Sequence, residues 1–219
     1  MSYTTYADLG GRPGFGAVAP EAEGELFHAA WEPRALALTL AVGATGAWNI
    51  DMSRAARETL PNYAELSYYA IWIAGLQRLL GERGLLLPDE TAAGRALRPA
   101  LPVKRVLRAG DVATALAAGS PTLRPATAAP RFSVGQRVRT RSEAVAHHTR
   151  LPAYARGKIG VVERLHGAHV FADAHAQGLG EQAQCLYTVA FDSTALWGHD
   201  AAHALTVSVD AWDAYLEPA

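Results

Sequence analysis

The spacing of apolar residues changes near residue 131, and this change limits the fold more than any other feature of the sequence. Before it, apolar residues such as Leu66, Ile73 and Leu80 recur at steps of three and four, the period of an amphipathic helix. After it, residues 132–140 alternate between apolar and polar types, the period of a strand. A chain with its helices first and its strands second is predicted to be an α+β protein with separate helical and β parts.

Cap and breaker residues set the limits of the predicted helices. Pro33 is tolerated in a first helical turn, and Gly43 and Gly46 suit the end of the same segment. Asn49 is a good N-cap for a helix that Pro61 stops, and Gly84 ends the most strongly periodic segment. The first predicted helix starts at residue 32 and ends at 43 or 46, and the others cover residues 49–60, 63–84, 88–92 and 109–118.

Short alternating segments after residue 131 predict strands of about five residues each. They lie at 132–140, 157–163, 168–171, 185–191 and 205–209. Five short strands joined by long turns are typical of a small barrel. Two aromatic residues near the C-terminus, Trp212 and Tyr215, are expected to close one end of it.

The chain divides into four predicted regions: an extended arm (1–28), a helical domain (29–119), a linker with three prolines (120–130) and a β-barrel domain (131–219). The arm has too many glycines and prolines for regular structure, yet its apolar side chains are too frequent for a free tail. Two interpretations remain open. The arm either packs loosely on its own chain or embraces a partner subunit.

Composition excludes several classes of function. Half of the 219 residues are hydrophobic and 19% are charged, the balance of a globular protein. The formal charge of −1 and the scattered arginines offer no electrostatic footprint for nucleic acid. A single cysteine, Cys185, excludes an internal disulfide or a thiolate cluster made by this chain alone. No apolar run reaches the ~18 residues that span a membrane, and residues 1–8 lack the features of a secretion signal, so a cytoplasmic protein is expected.

One loop concentrates groups that suit an anion. Residues 147–160 read His-His-Thr-Arg-Leu-Pro-Ala-Tyr-Ala-Arg-Gly-Lys-Ile-Gly and run into a valine-rich strand. A stiff proline and two conformationally free glycines predict a shaped loop that presents the guanidinium groups of Arg150 and Arg156. The alternative is that these basic residues are merely solvated, as in similar turns on many small barrels.

The remaining potential ligands and nucleophiles predict no site of their own. Three histidines, His166, His169 and His175, fall in a turn region without the regular spacing of metal ligands, so no metal site is predicted in this chain. Cys185 lies in an apolar strand, where a buried and inert thiol is expected.

The helical part leaves two features open. Arg54 lies one turn after Ile50 on a short predicted helix, where an isolated arginine that faces solvent has no function. Tyr68 and Trp72 are four residues apart, and an aromatic pair at this spacing belongs either to a core or to the wall of a small-molecule pocket.

Several motifs in fixed order resemble the beta subunit of nitrile hydratase. The resemblance covers essentially the whole chain except the stretch from about residue 85 to 130. The motifs are Asp8-Leu9-Gly10-Gly11, Gly14-Phe15-Gly16, Phe27, Trp31-Glu32, Tyr68-Tyr69, Trp72, Arg150 through Tyr154, Arg156-Gly157-Lys158, Gly160, His166-Gly167, Asp173, Gly178-Leu179-Gly180-Glu181, Leu186-Tyr187-Thr188-Val189, Leu196-Trp197-Gly198 and Trp212-Asp213-Ala214-Tyr215-Leu216.

This resemblance implies a heteromeric enzyme whose metal lies in another chain. In that family an alpha subunit holds non-haem Fe(III) or non-corrin Co(III) in a cysteine-rich claw with two oxidised cysteines, and the beta subunit joins it as αβ or α2β2. By motif position, Arg54 and Arg150 are expected to hydrogen-bond the oxidised cysteines. Ile50, Tyr68 and Trp72 are expected near the substrate.

The implied reaction is that of a hydro-lyase, the hydration of a small nitrile to its amide. The resemblance also implies that the β part is an SH3-like barrel. Two alternatives remain. One is a subunit of a thiocyanate hydrolase-like enzyme, in which the two halves resemble separate shorter chains. The other is a non-catalytic accessory protein for metal-centre assembly, which would resemble only one half.

Overall fold

The structure is a computed structural model that describes residues 5–198 and 205–219. These residues form two compact units, one of residues 5–119 and one made of the described residues from 120 onward. The strands all lie in the second unit, where they pair in antiparallel fashion. The predicted α+β class, with helices and an antiparallel sheet, is confirmed. The limits of the four predicted regions remain a prediction.

Helices dominate the first unit, and two short ones interrupt the sheet of the second. Among the described residues no helix is both long and apolar enough to span a membrane. The helices are α1 (Glu32–Gly43), α2 (Ile50–Glu58), α3 (Tyr68–Glu82), α4 (Pro88–Ala93), α5 (Val112–Ala118), α6 (Ala172–Ala176) and α7 (Ser193–Trp197).

The cap residues placed α1 well, but α3 starts later than predicted. Helix α1 has Pro33 in its first turn and ends at Gly43, as the sequence indicates. The predicted helix from residue 63 is instead a 3₁₀ turn, Tyr63–Glu65, followed by extended backbone at Leu66 and Ser67. The extended residues interrupt the helical hydrogen bonds, so α3 begins only at Tyr68.

Close packing between α2 and α3 depends on one glycine. A Cβ atom added at Gly75 would lie 2.5 Å from Cγ of Arg57, well inside van der Waals contact. The absence of a side chain at Gly75 therefore lets α2 approach α3 at this level. It also lets the Arg57 side chain pass over the ring of Trp72.

The second unit is built on one antiparallel sheet. Its strands follow the path β5-β4-β3-β2-β6, and β1 pairs with the far end of β3. The strands are β1 (Leu123–Arg124), β2 (Arg137–Thr140), β3 (Ile159–His169), β4 (Gln184–Asp192), β5 (Thr206–Trp212) and β6 (Leu216–Pro218).

Three strand predictions need correction. The segments predicted at 157–163 and 168–171 are one strand, β3, because two irregularities in its pairing with β4 absorb the residues that break the alternation. Strand β1 lies in the segment predicted as a linker. Strand β6 was not predicted, since three residues at the C-terminus are too few to show a period.

The described part of the sheet is open rather than a closed barrel. Its path ends at β5 and β6, which do not pair with each other among the described residues. A 3₁₀ turn, Asp213–Tyr215, joins these two strands directly and carries the chain to the free edge of β2. The predicted small barrel is therefore not a closed one over the residues that the structure describes.

The core of the second unit lies against this sheet and anchors the basic loop. The loop contains a 3₁₀ turn, Ala153–Ala155. Leu151, before this turn, and Ala155, at its end, are buried in the core, while Arg150 is exposed. The buried cluster contains Phe132, Val138, Leu151, Ala155, Val162, Cys185, Tyr187, Val189, Phe191, Leu196, Ala211, Tyr215 and Leu216.

The contact between α2 and α3 makes a prediction for stability. Gly75→Ala is expected to destabilise the chain by about 1 kcal/mol, because the clash with Arg57 outweighs the gain of about 1 kcal/mol from replacing a helical glycine. In the Arg57→Ala background the same substitution should stabilise, since the clashing Cγ is gone. Urea denaturation of the full-length variants measures both changes.

A matched control lies on the same helix. A Cβ atom at Gly81 would meet nothing within 4 Å, so Gly81→Ala should stabilise in either background. If Gly75→Ala has the same sign with and without Arg57, the proposed cause is wrong.

Candidate functional site

The residues predicted for the site fall into two local groups, one in each unit. Ile50 and Arg54 lie on α2, and Tyr68 and Trp72 lie on α3, so these four belong to the helical unit. Arg150 lies in a loop of the second unit.

Arg54 is fixed by an ion pair within α2. The helix starts with an Asn49 cap, whose Oδ1 accepts from the backbone N–H of Met52 at 2.9 Å. One turn later, Nη1 of Arg54 donates to Oδ1 of Asp51 at 2.7 Å. Asp51 is only 3% exposed, whereas 40% of the Arg54 side chain is exposed. Because a guanidinium has five N–H donors, the fixed group can still bond an external acceptor.

Ile50 and Tyr68 present apolar surface beside this helix start. Ile50 lies four residues before Arg54, on the same helical face, and is 45% exposed. Tyr68 is 64% exposed, although its ring lies 5.6 Å from that of Trp72. The core interpretation is therefore wrong for Tyr68, whereas Trp72 is half-buried. Exposed apolar surface of this kind suits a ligand or a partner.

Trp72 is held between aromatic rings and a cation. The rings of Tyr68 and Tyr69 lie 5.6 Å and 5.9 Å from the Trp72 ring, and Cζ of Arg57 lies 4.8 Å from the Trp72 ring centre. Nε of Arg57 donates to the Ser53 carbonyl at 3.1 Å. Burial, and then the charge of Arg54, lower the pKa of Arg57. Sequence reasoning missed the contact of Arg57 with Trp72.

Arg150 lies in a loop whose backbone is anchored on both sides. The side chain is exposed, while His148 and Leu151 are buried at 2% and 4% exposure. The backbone N–H of Arg150 donates to the hydroxyl of Tyr215 at 2.9 Å. The loop therefore presents the exposed Arg150 side chain from an anchored main chain, and its role in binding an anion stays a prediction.

Behind this loop lies a buried carboxylate. The Tyr215 hydroxyl donates to Oδ1 of Asp173, which is 3% exposed. Thr149 also bonds this carboxylate, and Nδ1 of His147 lies 3.6 Å from Oδ2. Burial raises the pKa of Asp173, although the hydrogen bonds from Tyr215 and Thr149 oppose the rise. Burial, and then the Asp173 charge, raise the pKa of Tyr215.

Sequence reasoning missed this arrangement. Asp173 appeared there only as a motif position of a resemblance, and Tyr215 only as such a position and as an aromatic residue expected to close the barrel, because the two lie 42 residues apart in sequence and meet only in the folded unit. A buried aspartate in a five-residue helix gives no periodic signal. Its association with Arg150 could not be read from spacing.

The scattered histidines and the cysteine have structural roles. Nε2 of His166 lies 2.7 Å from Oγ1 of Thr188, and Nδ1 of His169 lies 2.9 Å from Oγ1 of Thr122. Cys185 is buried, as predicted, and burial raises its pKa, so the thiol is a poor nucleophile. Over the described ranges, no three or more His, Cys, Asp or Glu side chains are grouped so as to hold a metal ion.

Two family models match the chain in order. The model described as nitrile hydratase beta subunit, N-terminal, matches residues 3–114. The model described as nitrile hydratase beta subunit, C-terminal, matches residues 121–218. Together these matches cover both halves of the chain.

Curated relatives agree with the family models. The chain is 38% identical to nitrile hydratase subunit beta of Pseudomonas putida, over 97% of this chain and 98% of the relative. It is 35% identical to the low-molecular weight cobalt-containing nitrile hydratase subunit beta of Rhodococcus rhodochrous, with the same coverage. A solved chain of thiocyanate hydrolase from Thiobacillus thioparus shares 29% identity over 53% of this chain and all of its own, at a TM-score of 0.42, too low to support a conclusion.

Full-length identity above 30% to curated beta subunits and ordered matches to both halves of the family lead to one conclusion. The chain belongs to the nitrile hydratase beta subunit family.

Proposed function

We propose that this chain is the beta subunit of a heteromeric nitrile hydratase, which adds water to a small nitrile to give the amide. The observation that carries the proposal is the likeness to curated nitrile hydratase beta subunits over 97% of this chain. Because both halves match, the proposal is favoured over an accessory protein that resembles one half. The alpha subunit is the required partner, in an αβ or α2β2 assembly in the cytoplasm.

The metal of the enzyme is proposed to belong to the alpha subunit, as Fe(III) or Co(III). The names of two relatives include cobalt. Cys185 is the one cysteine of this chain and is buried in the core, so the side chains here do not fit a cysteine-rich metal site. When bound in the alpha subunit, the metal supplies a Lewis acid for the nitrile or for water. This chain contributes hydrogen-bond donors and pocket surface around it.

Arg54 and Arg150 are the proposed donors to the oxygen atoms of the alpha subunit's oxidised cysteines. A guanidinium is planar, stays charged and offers paired N–H groups, so it can hold acidic sulfur oxygens in fixed directions. Both arginines are supported by local geometry that limits their motion. Asp51 fixes the Arg54 guanidinium, and Tyr215 fixes the Arg150 main chain.

Ile50, Tyr68 and Trp72 are proposed to line the substrate site. Their exposed apolar surface would bind the hydrocarbon part of a nitrile and exclude water from it. The Tyr68 hydroxyl adds a polar handle at the edge of this surface. Arg57 lies against the Trp72 ring and would support that wall from behind.

The second unit is proposed to be an SH3-like fold within a domain of residues 131–219. The strand path β5-β4-β3-β2-β6 supports this, as does the 3₁₀ turn between the last two strands. The helical domain (29–119) and the linker (120–130) complete the proposed division.

Residues 1–28 are proposed to wrap the alpha subunit. The described part of this arm is tied to the helical unit near its two ends, where the N–H of Tyr6 donates to the Glu58 carbonyl and the N–H of His28 donates to the Glu32 carboxylate. Between these anchors several apolar side chains of the arm are exposed, whereas Leu9 and Phe27 are half-buried. The exposed ones include Phe15 at 64%, Val18 at 93% and Leu26 at 77% exposure.

The function is tested by reconstitution. The chain is co-expressed with an alpha subunit encoded beside it, in medium with cobalt or iron, and amide formation from propionitrile is followed. The complex should form amide, and neither subunit alone should. Hydration by the metal-loaded alpha subunit alone, or a loaded complex that degrades thiocyanate but hydrates no nitrile, would contradict the proposal.

The arginines make a sharper prediction. Arg54→Lys and Arg150→Lys keep the charge but replace a planar fork with one rotating ammonium, so neither should restore hydration. Loss of one member of a desolvated charged contact costs about 3–5 kcal/mol, which in the transition state lowers turnover by roughly two to three and a half decades. Turnover is measured on complexes with confirmed metal content and subunit ratio.

Surface arginines with ion pairs provide the controls. Arg78 bonds Glu82 at 2.8 Å in the helical unit, and Arg124 bonds Glu181 at 2.7 Å in the other. Arg78→Lys and Arg124→Lys should keep near-normal turnover. If Arg54→Lys and Arg150→Lys behave like these controls, neither arginine acts next to the metal centre.

The arm makes a prediction for assembly. Phe15→Ser combined with Val18→Ser should weaken the heterodimer at least about a hundredfold, because burial of two such side chains contributes about 3 kcal/mol or more. The control, Glu23→Ser with Glu25→Ser, alters the polarity of the same arm without removing apolar surface. Size-exclusion chromatography across a dilution series measures dissociation. Equal dissociation of both double variants would count against a wrapping arm.

A further inference from the structure

We propose that Asp173 is a positioning residue, which fixes the loop of residues 147–151 through Tyr215 so that Arg150 is held for the reaction. The inference rests on the role proposed above for Arg150. It adds a residue that lies behind the loop and contacts it from another element, the short helix α6.

The contacts form a chain from the carboxylate to the loop main chain. The Tyr215 hydroxyl donates to Oδ1 of Asp173 and accepts from the backbone N–H of Arg150, the latter at 2.9 Å. Thr149 bonds the same carboxylate, and Nδ1 of His147 lies 3.6 Å from its second oxygen. Asp173 thus contacts the side chains of His147 and Thr149 directly, and the Arg150 amide through one hydroxyl.

The Asp173 carboxylate determines the direction of these hydrogen bonds. A tyrosine hydroxyl has one proton and two lone pairs, so a proton directed at Asp173 leaves the lone pairs for the Arg150 N–H. Asparagine at 173 would keep the shape but bring an NH₂ group that can donate to the hydroxyl. The Tyr215 proton would then be free to turn towards the Arg150 amide and oppose its hydrogen bond.

Burial makes the arrangement rigid. Asp173 and Tyr215 are 3% and 4% exposed, so water cannot replace a lost partner at low cost. Tyr215 is itself packed between Phe171 and Trp212, with ring centres at 5.7 Å and 5.8 Å. The hydroxyl therefore cannot move away from the loop without disturbing the core.

The same unit contains a matched pair that serves as control. The Tyr187 hydroxyl donates to Oδ1 of Asp213 at 2.9 Å and accepts from the backbone N–H of Arg131 at 3.0 Å. Tyr187 is as buried as Tyr215, so loss of its hydroxyl should cost similar stability. That pair holds a different segment, which has no proposed role in the reaction.

The experiment compares Asp173→Asn and Tyr215→Phe with Asp213→Asn and Tyr187→Phe in the metal-loaded complex. The first readout is site-resolved amide hydrogen exchange at residues 150 and 131. Exchange at 150 should rise about five- to a hundredfold in the first two variants, the range for a lost buried hydrogen bond, and exchange at 131 should rise in the controls. This readout does not depend on activity.

The second readout is the division between kcat and KM for propionitrile. Asp173→Asn and Tyr215→Phe should lower kcat about five- to a hundredfold with KM changed little, because a displaced Arg150 weakens the transition state more than binding. The controls should keep both constants even where they lose equal thermal stability. A similar loss of kcat in the controls would reduce the effect to general destabilisation and overturn the inference.

Two further outcomes separate this inference from the proposed function. Unchanged exchange at residue 150 in Asp173→Asn and Tyr215→Phe overturns the positioning role. Normal turnover in these variants also overturns it, and the Arg150→Lys complex then shows which idea failed. If Arg150→Lys is inactive, the role of Arg150 stands and only the positioning inference is lost. If Arg150→Lys is active as well, the role proposed for Arg150 is wrong.

Discussion

The C-terminal residues Tyr215 and Leu216 hold the second unit together, and the exposed loop depends on them. Leu216 is buried and pairs with Thr140 across β6 and β2, while the Tyr215 carbonyl accepts the N–H of Arg141. The Tyr215 hydroxyl accepts a hydrogen bond from the backbone N–H of Arg150. One buried tyrosine therefore joins the edge of the sheet to the loop that carries Arg150. This polar contact is retained because, at a buried site, no water can replace it.

The helical unit also holds arginine side chains in defined positions, but through an ion pair and close helix packing. Helix α2 must present Arg54 at its surface while Arg57, one turn on, points into the contact with α3. Gly75 leaves the space that this second arginine needs. The Arg57 charge is accommodated by the Trp72 ring and by the Ser53 carbonyl, so its half-burial costs less than that of an isolated cation.

Each unit thus holds positioned side chains at its surface, and their contribution to a reaction centre is the role proposed above. A side chain such as Tyr68 is left 64% exposed, and the arm between its anchors exposes Val18 almost fully. An isolated soluble chain tolerates exposed apolar surface only where the patch is small. Such surface stabilises a complex when a partner covers it and removes it from water. Membership in the nitrile hydratase beta subunit family agrees with this division of labour, in which the proposed partner holds the metal.

The sequence alone determined the α+β class, the start of α1, the family and the burial of Cys185, because caps, periods and ordered motifs are local signals. It did not determine the late start of α3, where extended backbone at Leu66 and Ser67 interrupts the helical pattern. Nor did it determine the continuity of β3 through two irregularities, the existence of β6 or the open sheet among the described residues, since each of these depends on pairing between distant segments. The same limit applies to the site. Sequence motifs named Arg54 and Arg150, but only the tertiary structure brought Asp173 and Tyr215, 42 residues apart, together behind the loop. A hydrogen bond acts over about 3 Å of space, and no separation along the chain encodes that distance.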